Sequence, residues 1–144
     1  MAFAKLMDID KTLTLHNCID EIPVLADFIE EVCEEAGRGP ADVFNLNLAL
    51  EEAVTNVMLY AYPQEEEHTL CLTAQGDTDS LRFTLTDTGV EFDPTKKEDA
   101  DVTLSAEERP IGGLGIFLVK QLMDEVSYER RDGTNNLIMT KRFV

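Results

Sequence analysis

The chain has 144 residues, 44% of them hydrophobic, which suits a single domain over residues 1–144 with one core and excludes a disordered segment. Twenty-nine acidic residues against twelve basic ones leave a net charge of −17. That balance argues against nucleic acid and membrane as partners, because phosphate backbones and anionic lipids are held through Lys and Arg, whereas a small anion could still bind through helix amides and a divalent cation.

No apolar run approaches the roughly 20 residues of a bilayer span. The N-terminal stretch is interrupted by Asp8 and Asp10, and Cys18, Cys33 and Cys71 have no metal-ligand spacing, so a reduced cytoplasmic protein is expected. In chain order, residues 12–19 alternate as a strand with Leu13, Leu15 and Asn17 inward. Residues 21–36 read as an amphipathic helix with Val24, Leu25, Phe28, Ile29 and Val32 on one stripe, closed by Gly37 and Gly39. A second helix over 41–62 stops at Pro63, and strands 69–75 and 81–86 flank a turn-rich stretch at 76–80. Residues 87–112 are charged and aperiodic, with Gly, Pro and Asp at intervals, and a loop that long in a compact domain is usually functional. A short helix over 114–124 and strands 126–131 and 137–143, joined at Asp132-Gly133, follow. The order β-α-α-β-β-loop-α-β-β, without repeats or β-α-β alternation, predicts an α+β two-layer sandwich. Its sheet is mixed and mainly antiparallel, with helices on one face.

At about 100° per residue, Leu46, Leu50, Ala53, Val54, Val57 and Ala61 line one stripe of the second helix, and Asn47, Glu51 and Thr55 a solvated sector. Glu52 and Asn56 fall elsewhere, near Asn45 and Ala49, on a helix apolar on nearly two sides and therefore packed on both. A polar i, i+4 pair beside a packed face needs partners. Either Glu52 caps a core hydrogen bond or the pair is merely solvated, or Glu52 is a general base beside an amide oxygen that ligates magnesium.

Two glycine segments bear on that choice. Asp87-Thr88-Gly89 stands where a strand ends. It is either an Asx-turn or an acceptor for an exocyclic amine, with a glycine that lets the backbone approach a flat base. Gly112-Gly113-Leu114-Gly115 leads into a helix, as a hinge or as free amides that grip phosphate. No parallel strand–helix–strand unit surrounds it, so it is not a dinucleotide fingerprint.

With these pieces in this order, and with the stretches EEAVTNVMLYAYP, DTGVEFDP and ERPIGGLGIFLVKQLMDEVSYERRDGTNNLIMTKRF, residues 12–143 resemble the GHKL (histidine kinase-like) ATPases of the Bergerat ATP-binding fold. Within them the chain is most similar to the anti-sigma-factor serine kinase branch, which likewise has Phe-Asp where the commoner Asp-x-Gly-x-Gly form has its second glycine. The resemblance implies ATP and magnesium as cofactors, Glu52 as general base and Asn56 as magnesium ligand. It implies Asp87 as acceptor for the adenine amine with Gly89 beside it, and Gly113, Leu114 and Gly115 as the phosphate-contacting turn. Residues 94–112 match a mobile lid carrying Arg109 toward the terminal phosphate, and Thr134 matches a hydroxyl that helps the site.

The implied activity is a protein serine kinase that phosphorylates a small antagonist protein and binds a sigma factor, with a homodimer left open. The alternative is an ATP-sensing interaction module with little turnover, since binding and transfer use the same residues. A fragment of a two-component histidine kinase is a poor match, because neither His16 nor His68 lies in a predicted helix that could carry a phosphohistidine.

Overall fold

The computed structural model describes residues 9–63, 66–96 and 116–143. Strands β1 (Ile9–His16), β2 (Thr69–Gly76), β3 (Ser80–Asp87), β4 (Glu125–Arg131) and β5 (Thr134–Arg142) form one sheet. Their order is β1-β2-β3-β5-β4, and every neighbouring pair is antiparallel. Period-2 alternation sorts the side chains: Leu15, Leu72, Phe83, Leu85 and Met139 are buried, while Thr12, Thr73, Thr84 and Thr86 lie on the opposite, open face. Helices α1 (Ile22–Glu35), α2 (Pro40–Tyr60) and α3 (Phe117–Leu122) complete the buried layer. The architecture is the predicted α+β sandwich, with the sheet wholly antiparallel among the described residues.

Helix α1 buries Leu25, Phe28, Ile29, Val32 and Cys33, whereas Val24 is 46% exposed. The stripe is thus centred one step further round than predicted, and Cys33 flanks it in place of Val24. The helix ends in a Schellman motif, with Gly37 at φ +70, Arg38 N–H donating to Cys33 O at 2.8 Å and Gly37 N–H to Glu34 O at 3.1 Å. Helix α2 starts with Pro40 at its first position, where a missing N–H goes unnoticed. It packs against both α1 and α3, as expected of a helix with two apolar flanks.

Two boundaries differ from expectation for local reasons. Strand β1 ends at His16 because Asn17 turns away: its side chain donates to Glu66 O at 2.8 Å and accepts from His68 N–H at 2.9 Å. Strand β5 begins three residues earlier than predicted, since Asp132 (φ +50) and Gly133 (φ +79) form a tight two-residue hairpin turn. Asn135 and Asn136 are thereby strand residues. Among the described residues no helix is long and apolar enough to cross a membrane.

Candidate functional site

A cavity of about 400 Å³ lies between the C-terminal half of α2, the ends of β3 and β5, and the segment after β3. Its walls are mainly apolar (Val57, Leu85, Val90, Phe92, Ile116, Leu137), and Asn56, Asp87 and Asn135 bring polar atoms to it. A few polar groups in an apolar cleft of this size is the usual form of a small-molecule site.

Asp87, the last residue of β3, is 5% exposed. Its Oδ1 accepts from Gly89 N–H at 2.8 Å and from Asn135 Nδ2 at 3.0 Å. The first bond closes an Asx-turn, so that reading holds for one oxygen. Oδ2 has no donor among the described residues. A buried carboxylate oxygen left without a donor is costly, and an incoming amine would remove that cost.

Gly89 answers to a close approach within the protein. A Cβ there would lie 2.4 Å from Ala61 O and 2.7 Å from Ala61 Cβ. Ala61 caps α2, and its carbonyl also accepts Val90 N–H at 3.0 Å. The expected reason for this glycine was approach to a flat base; the atoms that exclude a side chain here belong to Ala61. Tyr62, stacked on His68 at 4.1 Å between centroids, accepts Thr88 N–H at 2.9 Å. The end of α2 thus fixes the residues after Asp87 from one side.

Asn56 lines the cavity and is half-buried. Glu52, one turn earlier, is not a lining residue, and its Oε1 accepts Val119 N–H at 3.0 Å in the first turn of α3. The capping reading therefore applies to one carboxylate oxygen, which also orients the group. No group of three or more His, Cys, Asp and Glu side chains suited to a metal occurs among the described residues. The donor set fits a magnesium ion held by the Asn56 amide oxygen together with oxygens of a bound phosphate, the common arrangement for that ion.

Thr134 was expected to bring a hydroxyl to the site. It lies on the open face of the sheet with Thr84 and Asn136, its hydroxyl donates to Arg131 O at 2.6 Å, and it does not line the cavity. One residue on, Asn135 is 6% exposed, stands opposite Asp87 in the β3–β5 register and joins the cavity wall. Sequence reasoning passed over it because β5 was expected to begin at residue 137. Tyr128 donates its hydroxyl to Asn135 Oδ1, and burial pushes the Tyr128 pKa above its ordinary 10.0, which keeps that proton in place. Arg109, Gly113, Leu114 and Gly115 lie outside the described residues. Of the expected lid, Pro94–Lys96 form a 3-10 turn, and Thr95 N–H donates to Asp93 Oδ1 at 2.9 Å.

A family model described as the histidine kinase-like ATPase domain matches residues 17–141. The serine-protein kinase RsbW of Listeria monocytogenes is 33% identical over 114 residues, covering 76% of this chain and 72% of that protein. The serine/threonine-protein kinase BtrW of Bordetella bronchiseptica is 30% identical over 97 residues, covering 67% of this chain and 68% of its own. Among solved structures, the RsbU and RsbW domains of a Mycobacterium tuberculosis protein superpose with a TM-score of 0.62 at 17% identity over 93% of this chain. The match spans 32% of that longer protein, and at such identity the likeness is one of fold.

Proposed function

The chain belongs to the histidine kinase-like ATPase family, and on that premise we propose that this protein serine/threonine kinase acts as an anti-sigma-factor kinase. In this reading it phosphorylates a serine of a small antagonist protein in the cytoplasm, and it binds a sigma factor. The observation that carries the nucleotide reading is the Oδ2 of buried Asp87, without a donor among the described residues, in an apolar cavity that Asn56 also lines.

The chain's own residues divide the work. Asp87 Oδ2 accepts the adenine amine, and the Val90, Phe92 and Leu137 walls exclude water from the base. Asn56 holds magnesium through its amide oxygen, and Gly113, Leu114 and Gly115 are assigned the phosphates by family resemblance, with Arg109 as the lid cation. Bound Mg-ATP supplies the phosphoryl group and neutralises part of its charge. Glu52, oriented by Val119 N–H, receives the proton that the serine hydroxyl gives up.

The test has two arms. ATP with magnesium should raise the melting temperature, by about 2.7 kcal/mol of stability at a hundredfold excess over Kd, and GTP should not, because its O6 opposes Asp87 as a second acceptor. Mg-ATP should also label a serine on an antagonist protein from the same cell. Equal stabilisation by both nucleotides would remove Asp87 from base reading. Selective ATP binding without transfer to any protein would leave an ATP-sensing interaction module, a reading favoured by the engagement of Glu52 Oε1 with the backbone.

A further inference from the structure

Among the described residues the Asn135 side chain makes five hydrogen bonds. It occupies the middle of a row across three strands, with Asp87 of β3 on one side and Arg130 of β4 on the other. Its two polar atoms face opposite kinds of neighbour. Oδ1 accepts from the Tyr128 hydroxyl, from Arg130 Nη1 at 3.2 Å and from Phe92 N–H at 3.4 Å. Nδ2 donates to Asp87 Oδ1 at 3.0 Å and to Val90 O at 2.8 Å. Turning the amide over would set oxygen against two acceptors and nitrogen against three donors, so its orientation is determined by its surroundings. Arg130 Nη1 also donates to Gly89 O at 3.0 Å, so the segment after Asp87 is suspended from Arg130 and Asn135 at Gly89, Val90 and Phe92.

We propose that Asn135 is a positioning residue that makes Asp87 a one-sided acceptor, and so sets the preference of the cavity for adenine over guanine; the proposal rests on the ATP reading above. Two donors, Gly89 N–H and Asn135 Nδ2, saturate Oδ1 and leave Oδ2 alone to meet the base. A carboxylate presented in this way accepts from an adenine amine and repels the guanine carbonyl oxygen. Without the Nδ2 donor, Oδ1 would also seek a partner, and the carboxylate would no longer be fixed with a single oxygen toward the base.

The discriminating variant is Asn135→Asp, which keeps size and shape but turns the edge facing Asp87 from donor to acceptor. Two facing carboxylates repel, so Asp87 loses the donor that holds Oδ1 inward and either of its oxygens can turn toward the cavity. Tyr128→Phe is the milder companion, removing one of three donors that orient the amide. Dissociation constants for Mg-ATP and Mg-GTP are measured on both and on wild type, with melting temperatures of the unliganded proteins. For Asn135→Asp the ATP-over-GTP preference should shrink by about 10–100-fold, the range expected when a buried group loses its partner. For Tyr128→Phe it should shrink by about 2–10-fold, the net worth of one hydrogen bond. A purely architectural Asn135 would lower the melting temperature and weaken both nucleotides alike; a preference unchanged within twofold in both variants therefore overturns the proposal. A wild-type protein that binds neither nucleotide, or both equally, sinks the ATP reading and this proposal together, a result distinct from selective wild-type binding with insensitive variants.

Discussion

Replacing Gly89 with alanine tests whether the segment after β3 is held by the end of α2 or shaped to meet a base. The backbone of Gly89 is outside the positive-φ region, so alanine can adopt its conformation and the penalty is steric. The new Cβ would stand 2.4 Å from Ala61 O and 2.9 Å from Ala61 C, backbone atoms that cannot move without the helix cap. Overpacking of this kind costs about 1–3 kcal/mol, and displacement strains the Val90 N–H bond to the same oxygen, worth about 1 kcal/mol. The lower entropy of the unfolded alanine chain offsets about 0.4–1 kcal/mol. The net loss is about 2 kcal/mol, or a drop of about 4–8 °C in a domain of this size. Differential scanning fluorimetry without nucleotide reads it directly. Ala61→Gly in the Gly89→Ala background should recover only part of the loss, because it removes the Cβ contact at 2.7 Å and leaves the carbonyl contact. If Gly89→Ala melts within about 1 °C of wild type and only its ATP response is lost, the glycine serves the base and the Ala61 argument is wrong.

Two further outcomes follow from particular contacts. Glu52→Gln keeps an oxygen for Val119 N–H, so folding and ATP affinity should stay near wild type while phosphoryl transfer falls about 10²–10⁴-fold; transfer at the wild-type rate would exclude Glu52 as the base. His16, hydrogen-bonded to Glu21 at 2.8 Å, has its pKa raised above 6.5 by that partner, while the Glu21 pKa is lowered below 4.5 by His16. The histidine contribution is full below 6.5 and lost as pH rises through its raised value; the glutamate contribution is present above 4.5 and lost as pH falls through its lowered value. The small melting deficit of His16→Gln should therefore be largest between pH 4.5 and 6.5 and fade as pH rises through the raised histidine value; a deficit that grows above neutrality would reverse the sign of the pairing.

The amino-acid order alone carried the strand alternations, the two long helices, the sector that separates Glu52 and Asn56 from the solvated face of α2, and the position of Asp87 at a strand end. All of these follow from periodicity within a few turns or a few residues of chain, where geometry is nearly independent of the rest of the fold. Val24 fell outside the buried stripe because the choice between two flanks of one helix depends on what packs against it, and Cys33 won. Gly89 could be seen to need freedom, but Ala61, whose carbonyl imposes that need, lies 28 positions earlier. Thr134 and Asn135 show the limit most clearly. In a strand each step of one residue exchanges the two faces, and where β5 begins is decided by the Asp132-Gly133 turn and by pairing with β3. Tertiary register, not local pattern, put Asn135 beside Asp87 across 48 residues and turned the neighbouring threonine to the open face.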